Sequence, residues 1–211
     1  MDEALGALKL FVPHRYQKKF TLFPGMDVRF IDAGHLLGSA SIELWLTENE
    51  VQKKLIFSGD IGNLNQPLIR DPQVPQEADY VIMESTYGNR LHEKPKGYLP
   101  GLVNVLRETF SRGGSLIIPS FAVGRTQEML YYFKQIKDQK LLPEFGDFPI
   151  YMDSPLAIEA TDIFMRNKES CFDEEALSYV QRGENPIGVS GLIPAVTSEA
   201  SKAINADKRL S

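Results

Sequence analysis

The sequence DAGHLLGSA, from Asp32 to Ala40, is the most informative segment of this chain. It places His35 on a glycine-rich turn directly after a predicted strand, where backbone can approach a ligand closely. His35 can coordinate a metal ion through one ring nitrogen while Asp32 or a backbone carbonyl holds the other. A purely structural histidine is the commoner role of such a residue, so both interpretations stay open at this point.

A second stretch, FSGDIG from Phe57 to Gly62, has the same design. It places Asp60 at the end of an apolar strand, with glycine on both sides. A carboxylate in that position can bridge the two metal ions that many hydrolases use. The alternative is an aspartate that caps a turn.

Around these two stretches the first part of the chain is rich in predicted strands. Alternation is imperfect in the third of them, which predicts burial on both faces of the sheet. Three prolines between Asp60 and Tyr80 exclude a helix there. The predicted strands are Lys19–Leu22, Val28–Asp32, Ser41–Leu46, Lys54–Ser58 and Tyr80–Met83.

From about Gly97 the pattern changes to alternating helices and strands, which predicts a parallel sheet with helical cover. The fold class is therefore α/β, with a boundary near residues 90–97. The predicted helices are Leu99–Ser111, Gly124–Asp138 and Pro155–Arg166, and the predicted strands are Ser115–Pro119, Pro149–Met152 and Ile187–Ser190.

Composition excludes several classes of protein. With 43% hydrophobic and 24% charged residues, the chain is neither disordered nor fibrous. A single cysteine, Cys171, and no apolar run approaching 18 residues predict a cytoplasmic location without membrane contact. The net charge of −5 means that any contact with nucleic acid must be local. The basic run His14–Lys19 is better explained as a solvated turn.

The order of the motifs resembles a known family. His35 and Asp60, about 25 residues apart, resemble the third and fourth motifs of the metallo-β-lactamase superfamily. The stretch YVIMESTYG at 80–88 resembles motif A, which opens the β-CASP domain of RNA-processing ribonucleases. The stretches PSFAVGRTQE at 119–128 and MDSPLA at 152–157 resemble other parts of that domain. The resemblance covers nearly the whole chain.

The resemblance implies a fold in two parts. Residues 1–92 are expected to form the C-terminal portion of the first half of a metallo-β-lactamase αββα sandwich. Residues 93–211 are expected to form the N-terminal portion of a β-CASP domain, a parallel sheet flanked by helices. The implied activity is zinc-dependent hydrolysis of RNA, as an endonuclease or a 5′-exonuclease, by a protein that also forms a homodimer.

Site residues follow position by position. His35 is implied as a zinc ligand, Asp60 as the catalytic carboxylate that bridges two zinc ions, and Glu84 as the catalytic residue of motif A, an acidic side chain that supports a ligand or a proton transfer. A strand that runs into a helix near Ser120, with Arg125 and Thr126, can also hold an RNA phosphate. The alternative there is N-capping by Ser120 or Thr126 and a structural salt bridge for Arg125.

The family's His-x-His-x-Asp-His motif is absent from this sequence, whose histidines are His14, His35 and His92. One imidazole and one carboxylate do not complete a zinc site, since a catalytic zinc normally takes three protein ligands. We therefore expect a fragment with an absent or incomplete zinc site and no activity alone. His92 is predicted to lie in a solvated loop. The alternatives are a metallo-hydrolase of another ester, and a non-catalytic β-CASP-like scaffold in an RNA-processing complex.

Overall fold

The computed structural model describes residues 2–91 and 97–207. The chain has the predicted α/β class and forms two compact units. The first unit comprises Met1–Leu64 and Asp71–Thr86, and the second comprises Asn65–Arg70 and Tyr87–Ser211. His92 and the predicted division between residues 92 and 93 lie outside the described residues, and that division stays a prediction.

The first unit is built on a five-stranded sheet whose strands are adjacent in chain order. All five predicted strands are present, with ends that differ by at most three residues. The first four pair antiparallel, whereas the fourth and fifth pair parallel. A short helix, α1 (Asp2–Leu8), precedes the strands β1 (Phe20–Phe23), β2 (Met26–Asp32), β3 (Ala40–Glu48), β4 (Val51–Phe57) and β5 (Tyr80–Ile82).

The strand directions bring three chain segments to one edge of this sheet. Asp32, the last residue of β2, pairs with Ala40, the first residue of β3. Ile42 near the start of β3 pairs with Phe57 at the end of β4, and Phe57 pairs with Ile82 at the end of β5. The loops that follow β2, β4 and β5 therefore begin side by side.

The two faces of the sheet differ in chemistry. On one face Glu43 is fully buried, and its carboxylate pairs with Arg29 and with the Lys54 Nζ at 2.6 Å. On the other face Ile42 and Phe57 are 37% and 38% exposed. The prediction that β3 is buried on both faces is therefore wrong. Ion pairs allow the Glu43 carboxylate to lie inside, whereas the described residues cover Ile42 only in part.

The second unit contains helices around a hydrophobic core. Two of them, α2 (Tyr98–Ser111) and α3 (Arg125–Asp138), contribute most of its buried side chains, among them Leu106, Phe110 and Ile136. Two strands, β6 (Ile150–Met152) and β7 (Leu192–Pro194), pair parallel. Within the described ranges, no helix combines the length and apolarity needed to cross a membrane. The helices are α2 (Tyr98–Ser111), α3 (Arg125–Asp138), α4 (Pro155–Arg166), α5 (Lys168–Cys171), α6 (Glu174–Gln181) and α7 (Ser198–Ile204), with a 3₁₀ turn at Pro143–Phe145.

Two predicted strands of this unit are wrong. Residues 115–119 form no strand, and Ile117 is 86% exposed, because no described strand pairs with them. The last strand begins at Leu192 rather than at Ile187. Asn185 accounts for that shift, since its side-chain oxygen accepts the Ile187 N–H at 3.0 Å and holds a turn there.

The segment Asn65–Arg70 belongs to the second unit although it lies early in the sequence. Leu68 donates its N–H to the Asp173 carboxylate at 3.0 Å and accepts the Asp173 N–H at 3.2 Å. Ile69 forms an isolated antiparallel bridge with Phe172, which is fully buried. Apolar burial and backbone pairing therefore hold this segment beside α5 and α6.

Candidate metal centre

Three predicted site residues lie in the three loops at the edge of the first sheet. His35 follows β2, Asp60 follows β4 and Glu84 follows β5. The His35 turn comprises residues 33–39. Asp32 directly precedes it, and the Asp32 carboxylate accepts the Gly34 N–H at 2.9 Å. Asp32 therefore shapes the turn that carries His35.

Gly62 brings the second loop against the first. Its N–H donates to the Ala33 carbonyl at 2.9 Å. A side chain at position 62 would place its Cβ 1.7 Å from the Gly34 carbonyl oxygen and 2.8 Å from the His35 nitrogen. Only glycine fits this approach, so the second glycine of FSGDIG is explained by space.

This approach places His35 beside Asp60, with Nε2 and Oδ2 4.0 Å apart. Both side chains are accessible, at 42% and 72% exposure. An imidazole nitrogen and a carboxylate oxygen are donors that zinc accepts, at bond lengths of about 2.0 to 2.2 Å. Two such donors on a tetrahedral zinc would lie about 3.4 Å apart, so the pair is wider than a ligand pair by roughly 0.6 Å.

The pair does not make a complete site. Among residues 2–91 and 97–207, no group of three or more His, Cys, Asp or Glu side chains is arranged to hold a metal ion. A catalytic zinc normally takes three protein ligands. The described residues therefore do not complete a metal site.

Glu84 contacts the loop that carries Asp60. Its carboxylate accepts the Ile61 N–H at 2.8 Å, and its own N–H donates to the Ser58 Oγ at 3.0 Å. The Ile61 hydrogen bond, then the Thr86 side chain and the nearby His35, hold the pKa of Glu84 below its ordinary value. Glu84 is thus kept ionised and fixes the residue next to Asp60.

Sequence reasoning missed several residues that build this edge. Ser58 is buried, and its carbonyl accepts the Ser41 hydroxyl at 2.6 Å. Ser39 and Tyr16 contact the His35 turn. The serine within each of the stretches DAGHLLGSA and FSGDIG could have indicated Ser39 and Ser58. No sequence pattern links Tyr16 to a residue 23 positions later.

The predicted phosphate contacts lie at the start of α3 in the second unit. The N-cap is Gly124, whose N–H donates to the Gln127 Oε1 at 2.8 Å, so the alternative of capping by Ser120 or Thr126 is wrong. Gln127 is fully buried, and its amide also donates to the Ala122 carbonyl at 3.0 Å. These bonds fix the loop before the helix.

The side chains of this helix start have defined partners. Thr126 donates its hydroxyl to the Phe121 carbonyl at 2.7 Å. Arg125 is 60% exposed and pairs through Nε with the Glu128 carboxylate at 3.0 Å, as the structural alternative anticipated. Burial raises the pKa of Glu128, although Arg125 opposes this. Ser120 is exposed.

The structure thus assembles two separate sets of predicted residues. His35, Asp60 and Glu84 share one edge of the first unit, whereas Ser120, Arg125 and Thr126 belong to the second.

Comparison with known proteins identifies the family. A sequence model of the Beta-Casp domain matches residues 126–210. A ribonuclease of Thermus thermophilus is 36% identical over 205 residues, which is 97% of this chain and 44% of the relative. This chain belongs to the β-CASP family of the metallo-β-lactamase superfamily.

Other β-CASP relatives are similar over shorter stretches. An RNase J-like protein of Methanocaldococcus jannaschii is 36% identical over 178 residues, covering 82% of this chain and 40% of the relative. The cleavage and polyadenylation specificity factor 73 of Drosophila melanogaster is 31% identical over 142 residues, covering 66% of this chain and 20% of the relative. The chain spans less than half the length of these β-CASP relatives.

Proposed function

We propose that the protein carrying this chain is a metal-dependent hydrolase that cleaves phosphodiester bonds in RNA. The observation that carries the proposal is the edge of the first sheet, where Gly62 packing sets His35 and Asp60 4.0 Å apart. Glu84 supports the same loop. The names of the relatives, among them a ribonuclease and an RNase J-like protein, favour RNA as the substrate.

We propose zinc as the metal, with two ions in the whole protein. His35 would supply an imidazole nitrogen, and Asp60 would supply the oxygens that bridge the ions. Bound zinc lowers the pKa of water toward 7 and so provides a hydroxide nucleophile. Within this chain, hydrogen bonds fix the loop on both sides of Asp60. Before it, the Ser58 hydroxyl accepts the Glu84 N–H, and after it, the Gly62 N–H donates to the Ala33 carbonyl.

Glu84 is the acidic residue that we propose supports the site. Its lowered pKa keeps it ionised near neutral pH, so it holds the Ile61 N–H and can accept a proton only transiently.

We propose that Ser120, Arg125 and Thr126 contact an RNA phosphate. The exposed guanidinium of Arg125 and the first turn of α3 are suited to an anion.

We also propose that the 211-residue chain has no activity by itself. His35 and Asp60 supply too few donors, and the described residues offer no third ligand beside them. The remaining donors would come from the rest of the whole protein. Endonucleolytic or 5′-exonucleolytic action, a homodimer and a cytoplasmic location remain predictions for that protein.

The test is cleavage of a labelled RNA by the whole protein with zinc, compared with Asp60→Ala. Glu48→Ala is the matched control, since Glu48 lies at the opposite edge of the same sheet. We expect Asp60→Ala to abolish cleavage and Glu48→Ala to retain it. Equal cleavage by wild type and Asp60→Ala would remove this edge from the mechanism.

The same assay separates the alternatives. A non-catalytic scaffold would bind RNA without cutting it at any zinc concentration. A hydrolase of another ester would cleave a small phosphodiester or carboxylic ester substrate while leaving RNA intact.

A further inference from the structure

Ser39 closes the turn that carries His35. Its Oγ accepts the backbone N–H groups of His35 at 3.1 Å and Leu36 at 3.2 Å. Its own N–H donates to the Leu36 carbonyl at 3.0 Å, and its carbonyl accepts the Ala33 N–H at 3.3 Å. One serine therefore fixes the backbone of the turn before, at and after His35.

Tyr16 reaches the same serine from 23 positions earlier in the chain. Its half-buried hydroxyl donates to the Ser39 carbonyl at 2.7 Å. The next residue, Gln17, donates its N–H to the Phe30 carbonyl at 2.8 Å, which holds this segment along β2. The basic run His14–Lys19 therefore contacts the His35 turn through the hydroxyl of Tyr16.

Few described contacts restrict the conformation of the His35 side chain. It is 42% exposed, and its nearest described charged partner is Asp60 at 4.0 Å. The direction of the imidazole is therefore set mainly by the backbone from which it projects. A ligand whose backbone is fixed beforehand loses less freedom when a metal ion binds.

We propose that Ser39 and Tyr16 are positioning residues for His35. Ser39 holds the backbone of the ligand, and Tyr16 holds Ser39. The inference rests on the proposed metal-dependent function, because the direction of His35 matters to that function only if His35 binds a metal ion. Neither residue contacts the substrate or the metal in this account.

The test measures zinc affinity of the whole protein by competition with a chelator. Removing a residue that orients a metal ligand typically weakens affinity 10- to 100-fold. We expect a loss of about that size for Ser39→Ala and a smaller loss for Tyr16→Phe, which keeps the ring. Ser39→Thr, which keeps a hydroxyl, restores affinity. Thr47→Val is the control, because it removes a hydroxyl that accepts a hydrogen bond from Gln52 at 3.0 Å, away from the site.

A second readout needs no metal. In the metal-free protein, amide hydrogen exchange at His35 and Leu36 should be faster in Ser39→Ala than in wild type, and unchanged in Thr47→Val. Zinc affinity of Ser39→Ala equal to that of wild type, even with lower stability, would leave a structural role alone and overturn the inference. Wild-type protein that binds no zinc would instead overturn the proposed function and this inference together.

Discussion

Replacing Gly62 by alanine tests the close approach that brings His35 to Asp60. The added Cβ would lie 1.7 Å from the Gly34 carbonyl oxygen and 2.2 Å from its carbon, and both are backbone atoms. Ordinary contact needs about 3.5 Å, so the two loops must separate by roughly 1.8 Å. The hydrogen bond from Gly62 to the Ala33 carbonyl is then lost.

The magnitude follows from these two effects. Overpacking costs about 1 to 3 kcal/mol, and one lost hydrogen bond costs about 1 kcal/mol. We therefore expect Gly62→Ala to lower the free energy of unfolding by about 2 to 4 kcal/mol. Urea unfolding followed by fluorescence of Trp45 measures it, because the single tryptophan lies on β3 of the same unit.

Gly38→Ala is the matched control. It adds the same methyl group in the His35 turn, where nothing lies within 4 Å, but at a φ of +81°. Left-handed backbone alone costs about 1 to 2 kcal/mol. Gly62 is not among the glycines of positive φ, so any excess loss in Gly62→Ala over Gly38→Ala is a lower bound on the crowding between the loops. Unfolding of Gly62→Ala at the wild-type urea concentration would show that the loops do not approach, and the proposed pairing of His35 with Asp60 would fail.

Three further predictions concern charged groups. Burial disfavours the charge of Glu43, but hydrogen bonds from Arg29 and Lys54 outweigh it and lower its pKa, so stability of the first unit should fall as pH drops below about 4.5. Glu43→Gln should flatten that dependence in urea unfolding between pH 3 and 7. Glu84→Ala should reduce RNA cleavage about tenfold by releasing the Ile61 N–H, whereas Glu84→Gln, which keeps an acceptor, should lose less. Arg125→Gln should weaken RNA binding and reduce its salt dependence by about 0.7 in slope, while Arg112→Gln at the C-cap of α2 leaves both unchanged.

Local chemistry explains what could be predicted from the sequence. The five strands of the first unit were predictable because each is an apolar run bounded by turn residues. The start of α4 was predictable as well, since Ser154 accepts the Ala157 N–H at 3.2 Å and Pro155 follows it. Both signals act within a few residues of the element they define.

Long-range partners explain what could not be predicted. The run Ser115–Pro119 is apolar, but a strand exists only where another strand pairs with it. The burial of Glu43 depends on Arg29 from β2 and Lys54 from β4, which pair with its carboxylate and lie on other strands.

At the candidate site, the candidate ligand residues could be predicted from the sequence, but the distance between them could not. Both His35 and Asp60 stand out on glycine-rich turns after strands. Their proximity depends on the space at Gly62 and on the shared sheet edge, which only the strand order reveals. The contact of Tyr16 with Ser39 spans 23 residues and has no local signature.

The most direct measurement is the zinc content of the purified whole protein, compared with His35→Ala and Asp60→Ala. We predict two zinc ions per chain in wild type and a clear loss in each variant, with RNA cleavage lost in parallel. Full zinc occupancy in both variants, or RNA cleavage by zinc-free wild type, would contradict the claim that this edge is part of a catalytic metal centre.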